Sequence, residues 1–452
     1  MTGIAKFWIN AFAGLLSLPA FAQMSVTGPA VPGITAGFQN PAFLDTDGKT
    51  WSANIVTISA RATSNTASIH ISDFGKSGAD FLRSDVLGTS SVSTGVGTLD
   101  FKGPSVAIRA GDRLTLALTT RMRIHANYGH VDGRLLSEIG EITKVEQSYP
   151  YRLPQIANMQ TSIAAFSDVG ASFAYELLHS GQHRLRIGGA LKYINGVAHT
   201  SIDVSALTGL IRINSDGVSF ITGATGTVST LTAGKLFDRF STGNLFKMGE
   251  GSIGGDIGLS YAYHTAPGEP WKFRLGVSVT DIGNVKYKPD STYSKSYDVH
   301  ITNDERLYFN GSFNNSLFSR ASRVFDKFPK FFTRTGRKTE AYTITLPTML
   351  HLQADYRMSP NWLVNGGAGV SLHGKNNLYK LYQVPYVTLV PSWMRNDVVL
   401  SVPLAYQEHT GLTAGAAWRY KGFTIGSNSI LSAILGGKQI DLYLGYVISS
   451  SK

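Results

Sequence analysis

His351, Gln353 and Asp355 are spaced two apart, so in an extended chain an imidazole, an amide and a carboxylate lie on one face. An imidazole beside a carboxylate is the acid–base part of a hydrolytic site. Nothing that would complete such a site is visible. The sequence holds no Gly-x-Ser-x-Gly elbow, no His-Glu-x-x-His zinc pair, no glycine-rich phosphate loop, no EF-hand and no cysteine. A polar face lining water has the same composition, and the chain is read as a non-enzyme with no catalytic residues, no metal and no cofactor. A second set is basic: Arg121, Arg123, Arg184, Arg186, Lys192, Lys272, Arg274, Arg357 and Arg419 share the polar parity of alternating segments with Glu176, Asp256, Asp355 and Asp441. Such a face can attract carboxylates or phosphates, or its own acids can pair with it and pin an internal segment. Pairing is the preferred reading. In a third set, Arg320, Arg323, Lys327, Lys330, Arg334, Arg337 and Lys338 lie beside Leu317, Ala321, Val324, Phe325 and Phe328 at helical spacing. That pattern suits a membrane interface, a partner protein, or packing onto the barrel rim.

The elements that must position the first two sets are strands. Tyr342, Ile344, Leu346, Leu350, Leu352, Ala354 and Tyr356 alternate with Thr343, Thr345, His351, Gln353, Asp355 and Arg357, and the same period of two returns through residues 398–406, 412–420 and 440–448. A soluble sandwich and a membrane barrel both alternate, so the strand ends decide. Tyr342, Tyr356, Trp362, Tyr406, Trp418 and Tyr420 cluster there, as the two interfacial girdles of a barrel require, and segments of about ten residues suit a tilted crossing. No stretch is apolar for the roughly 18 residues of a transmembrane helix. Charged residues are only 16% and there are 48 glycines; about 25% charged is usual for soluble chains. The net charge of +11 comes with no basic reader helix, so nucleic acid is not an expected partner.

Lys6, the apolar run 7–18 and the Ala20-Phe21-Ala22 cleavage pattern read as a signal peptide over 1–22. Residues 23–50, rich in Gly and Pro, have no period and read as a plug or hatch. From 51 to 452 the expectation is an all-β, up-and-down antiparallel transmembrane barrel of about 14 strands. Tight links near 111, 181, 267, 359, 396 and 421 alternate with long external loops at about 62–97, 126–167, 195–250 and 284–339, with a few short helices around 135–142, 235–246 and 317–328. Short turns on one side and long loops on the other are the habit of outer-membrane barrels. With the signal peptide, this places the chain in the outer membrane of a Gram-negative cell. The residues expected to face the lumen are Arg121, Arg123, Arg184, Arg186, Lys192, Asp256, Arg274, Asp355, Arg357, Arg419 and Asp441.

Gly37-Phe38-Gln39-Asn40-Pro41-Ala42, just ahead of the first strand, resembles the Asn-Pro-Ala segment of outer-membrane transporters of the FadL superfamily and of barrels associated with type IX secretion. Residues 251–287, with GGDIGLSYAY and FRLGVSVTDIGNVKY joined by a short turn, resemble the paired strands ending in Asp-Ile-Gly in that superfamily. The resemblance implies a fourteen-stranded barrel with an internal N-terminal hatch, in which Phe38, Asn40, Pro41 and Ala42 are the candidate hatch residues, and passage of hydrophobic compounds. The C-terminus departs from the pattern by running into Ser449, Ser450, Ser451 and Lys452 instead of ending on an aromatic. The expected function is passive uptake of hydrophobic or amphipathic small molecules; the alternative is a non-transporting docking barrel of a secretion or assembly complex. Expected partners are outer-membrane lipid, a hydrophobic small-molecule ligand and a protein at the external loops.

Overall fold

The computed structural model describes residues 33–45, 49–66, 70, 92–140, 148–234, 250–266, 269–309, 321–375, 377 and 379–450. The expected signal peptide, the 235–246 helix, and Leu317 and Arg320 of the third set lie outside them.

Alternating segments pair in chain order to make a closed antiparallel barrel of 14 walls. The first four are Trp51–Ser64, Val92–Lys102 continued by Ser105–Arg109, Leu114–Asp132 and Tyr151–Ser180. The fifth to seventh are His183–Ile213, Gly251–His264 and Trp271–Tyr287. The eighth is Tyr342–Thr345 continued by Met349–Ser359, followed by Trp362–Ser371 and Tyr386–Arg395. The eleventh is Val398–Ser401 with Leu404–Gln407, and the twelfth is Gly411–Ala414 with Ala416–Tyr420. The last two are Phe423–Ser427 and Gln439–Ser449. Closure is visible at Arg61 of the first wall, which stands opposite Thr98 of the second and Asp441 of the last. A closed ladder leaves no unpaired edge, which is what a chain without transmembrane helices needs in hydrocarbon.

One parity of each wall is turned outward. Leu191, Ile257, Leu352, Val387 and Tyr406 are exposed, and Leu412 is 75% exposed. So large an outer apolar band makes sense only against lipid. The opposite parity is buried and polar: Arg121, Arg123, Lys192, Asp256, Asp355 and Asp441 are all less than a tenth exposed. Tight reversals at Asn396 and Lys421 use backbone at φ +52°, the left-handed conformation two-residue hairpins favour.

Much of the described part of three expected external loops turns out to be sheet. The fifth wall pairs with the sixth from His183 to Asn195, then leaves it and pairs with Ser219–Ala233 from His199 onward. That strand pairs with Lys295–Ile301 and Leu307–Tyr308, and Lys295–Ile301 pairs with Phe332–Arg337. The third and fourth walls likewise continue through much of 126–167. Outside the membrane neither face of a strand must be uniformly apolar, so these threonine- and serine-rich stretches lose the period that marks the spanning parts. The extension has its own core, in which Leu153, Val204, Ile211, Val228, Tyr297 and Phe325 pack together. Helix Gly133–Gly140 matches the expectation near 135–142, and helix Ala321–Asp326 contributes buried Ala321, Val324 and Phe325. Ala321, Val324 and Phe325 of the third basic set's apolar stripe therefore pack onto this external extension.

Candidate functional site

The lumen contains a short inserted segment. Helix Gly33–Ala36 and the turn after it lead to Asn40, whose Oδ1 accepts from the Ala42 N–H at 3.0 Å and so caps the 3-10 turn Pro41–Phe43. With its own acceptor committed, Asn40 turns Nδ2 to the wall, donating to Gln353 Oε1 at 3.1 Å and to the Leu259 carbonyl at 3.3 Å. Ser260 Oγ donates to the Ala42 carbonyl at 3.2 Å, and Ser278 Oγ to the Gln39 carbonyl at 2.6 Å. Three glycines on adjacent walls make the approach possible. A Cβ at Gly188 would stand 2.2 Å from Ala42 N, at Gly258 2.1 Å from Asn40 Oδ1, and at Gly276 2.5 Å from the Phe43 ring. The ends of the segment meet cations: Arg186 Nη1 donates to Asp45 at 2.9 Å, Arg274 lies 3.9 Å from the Phe43 ring, and Arg121 lies 5.8 Å from the Phe38 ring. Phe38, Asn40, Pro41 and Ala42 are thus all brought against the inner wall.

Beside this segment runs a belt of buried ion pairs. Arg121 holds Asp100 with Nε at 2.6 Å and Nη2 at 2.9 Å. Arg123 reaches Asp281 at 2.6 Å and Asp168 at 3.1 Å, and Lys192 reaches Asp256 at 2.7 Å and Asp281 at 3.1 Å. Asp281 is the junction. Its φ of +57° turns it out of the strand's alternation, its N–H donates to Asp256 Oδ1 at 2.7 Å, and its carbonyl accepts from Thr348 Oγ1 at 2.7 Å. Burying so many charges is tolerable because each has an opposite partner.

His351 and Asp355 do not form an acid–base pair. His351 Nε2 lies 3.0 Å from Thr280 Oγ1 and Nδ1 2.9 Å from the Tyr386 hydroxyl, while Asp355 accepts from Arg274 at 2.8 Å and from Asn365 Nδ2 at 2.7 Å. Asp441 is satisfied locally by Ser427, Asn428 and Gln439. Arg357 lies 5.1 Å from the Trp271 ring, and Arg184 and Arg419 are half-buried on the inner parity. The sequence reading missed Asp100, Asp168, Asp281 and Arg61. Of these only Asp281 carried a signal, the Asp-Ile-Gly segment, whose aspartate sits where a strict period of two breaks.

Toward the external mouth the lumen turns apolar. Phe166, Ile194, Tyr287, Tyr342, Ile344 and Leu346 form a buried layer with Leu381. The segment carrying Leu381 is tied down at Tyr382, whose carbonyl accepts from His125 Nε2 and Asn127 Nδ2, each at 2.8 Å.

A model of a family described as being of unknown function (DUF5723) matches residues 41–428. The chain belongs to that family. No curated protein matches it. Among solved structures, a mutant of the monoaromatic hydrocarbon channel TodX shares 12% identity over 96% of this chain and 98% of that one, with a TM-score of 0.47. A Pseudomonas aeruginosa FadL homologue shares 8% over 93% and 94%, with a TM-score of 0.42. The Pseudomonas putida toluene transporter TodX shares 10% over 92% and 94%, also with a TM-score of 0.42. These are likenesses only; the barrel of this DUF5723 member is established by its own strand pairing. The family match begins at Pro41, inside the inserted segment, so the family's shared sequence includes part of what the lumen holds as well as the wall.

Proposed function

We propose that the protein is an outer-membrane conduit for passive passage of hydrophobic or amphipathic small molecules, with residues 23–50 as a hatch held by Phe38, Asn40, Pro41 and Ala42. The arrangement that supports this is a short segment, anchored by reversible hydrogen bonds and close glycine contacts, set in the bore with an apolar layer on its external side. An apolar solute is stabilised in such a layer relative to water, and release of Asn40 from Gln353 would clear space beneath it. Cells carrying the barrel should take up a hydrophobic fluorophore faster than cells without it. Deletion of residues 24–47 should raise ion conductance in planar bilayers while the barrel stays heat-modifiable on a gel. Equal uptake with and without the barrel would sink the conduit reading. Unchanged conductance would transfer the closing role from the hatch to the segment around Leu381 and Tyr382.

A further inference from the structure

Arg61 is 2% exposed on the inner face of the first wall. Lys102, Arg121, Arg123, Lys192 and Lys295, the other buried lysines and arginines among the described residues, each lie within 3.5 Å of a carboxylate. Arg61 has no such partner there. Its Nη1 donates to Gln407 Oε1 at 3.4 Å, while Nε and Nη2 meet no hydrogen-bond acceptor among the described residues. Asp441 is its neighbour in register, but the two oxygens of that carboxylate are engaged by Ser427, Asn428, Ser429 and Gln439. Around Arg61 the wall also presents buried hydroxyls without partners: Thr98 opposite it, Ser59 two residues away on the same face, and Tyr443 opposite Ser59. Both ring nitrogens of buried His409, two residues beyond Gln407, are likewise unengaged.

A buried guanidinium with a free donor pair is costly unless an anion answers it. The free pair is also specific. Nε and Nη2 are the two donors with which Arg121 grips both oxygens of Asp100 in this same lumen. We propose that Arg61 anchors a carboxylate-binding site in the external half of the lumen, its Nε and Nη2 taking the two carboxylate oxygens and Ser59, Thr98 and Tyr443 flanking them with hydroxyls. The carboxylate belongs to a small free anion or to the head of an amphiphile. Only the amphiphile source rests on the conduit reading.

Calorimetric titration of the purified barrel in an uncharged detergent tests the site, using benzoate and octanoate against benzyl alcohol and octanol. The carboxylates should bind saturably, about tenfold or more tighter than the matching alcohols, and R61Q should abolish that preference. Octanoate binding more tightly than benzoate assigns the amphiphile; equal binding assigns the small anion. Gln407→Glu places an internal carboxylate beside Arg61 and should also weaken carboxylate binding, so it decides the matter should R61Q fail to form a heat-modifiable barrel. Carboxylate and alcohol binding alike, or R61Q and Gln407→Glu both binding as the native protein does, would overturn the site and leave water as the partner of the guanidinium. Loss of fluorophore uptake with carboxylate binding intact would break the conduit reading and leave the site standing.

Discussion

From the fourth wall to the seventh the ladders are long: Tyr151–Ser180 pairs along its length with His183–Ile213, and the sixth wall pairs with both its neighbours from the external rim to the turn. Walls eleven to thirteen are patched instead. The eleventh breaks at Val402 and Pro403, the twelfth at Gly415, and the thirteenth ends at Ser427. Beyond it, helix Ile430–Ile434 packs against Gly411–Ala414 and Gln439–Ser449, where a strand would otherwise continue. Proline offers no N–H to a ladder, so the freed groups find other partners: the Val402 N–H donates to the Pro391 carbonyl at 3.1 Å, Gly415 to Pro403 at 2.8 Å, and Ala414 to Ser432 Oγ at 2.7 Å. The lumen follows the same division. The continuous walls carry most anchors of the inserted segment and the Asp168, Lys192, Asp256 and Asp281 part of the ion-pair belt; the self-contained Asp441 stands on the fourteenth wall, beside the patched ones, and the eleventh reaches Arg61 of the first through Gln407. Backbone continuity and internal charge pairing thus concentrate where a foreign segment must be gripped, and the patched side is the low end of local stability.

The comparison is broken most severely at its ionic junction. Asp281→Ala takes one of two carboxylates from each of Arg123 and Lys192, leaves the belt one negative charge short, and should cost about 3–5 kcal/mol in urea unfolding, whereas Asp441→Ala, which removes hydrogen bonds but no carboxylate in direct ion-pair contact with a cation, should cost about 1–3 kcal/mol. Equal losses would show that the belt is not held by charge. Next in size, Leu352→Arg on the eighth wall, which borders the continuous side, and Leu444→Arg on the fourteenth, which borders the patched side, should each cost about 2–4 kcal/mol, because both face lipid. A loss confined to Leu352 would place the patched side outside the hydrocarbon.

Gly415→Ala, set against the same change at Gly366 on the unbroken ninth wall, sharpens the contrast. A Cβ at Gly415 would lie 1.9 Å from the Ser427 carbonyl oxygen, whereas one at Gly366 would meet nothing closer than 3.5 Å. The first substitution should cost about 1–3 kcal/mol and the second less than about 1 kcal/mol. Amides of 411–427 should also exchange with deuterium sooner than those of 251–264, and the reverse order would refute the assignment of low stability to the patched walls. Asn40→Ala should cost only about 1 kcal/mol, since it releases an inserted segment and leaves the ladders intact. Its signature is a rise in single-channel conductance; native conductance would mean that Gly188, Gly258 and Gly276 hold the segment without Asn40.

Much of the wall was legible because alternation is local. Leu352, Gln353 and Ala354 carry their own inside and outside labels wherever the strand is placed. The candidate lumen charges were legible for the same reason, and so was the Asn40-Pro41-Ala42 cap, whose geometry closes within two residues. The external sheet was not, because outside lipid Thr222, Thr225 and Thr227 need no apolar partner parity to form a strand. The broken walls were only half legible: Pro403 and Gly415 can be read as interruptions, but not what repairs them.

By itself, then, the sequence determined the alternation of the spanning strands, about how many crossings the chain makes, and that a Gly- and Pro-rich segment precedes them, since each depends on neighbours a few residues apart. Only the tertiary structure decided which acid answers which cation. Arg123 and Asp281 are 158 positions apart, and Asn40 and Gln353 are 313 apart. Closing the barrel sets those distances, and it is also closure that leaves Arg61 beside an aspartate already committed elsewhere. Periodicity reports the direction of a side chain; the Coulomb and hydrogen-bond energies that give it a role depend on what stands opposite.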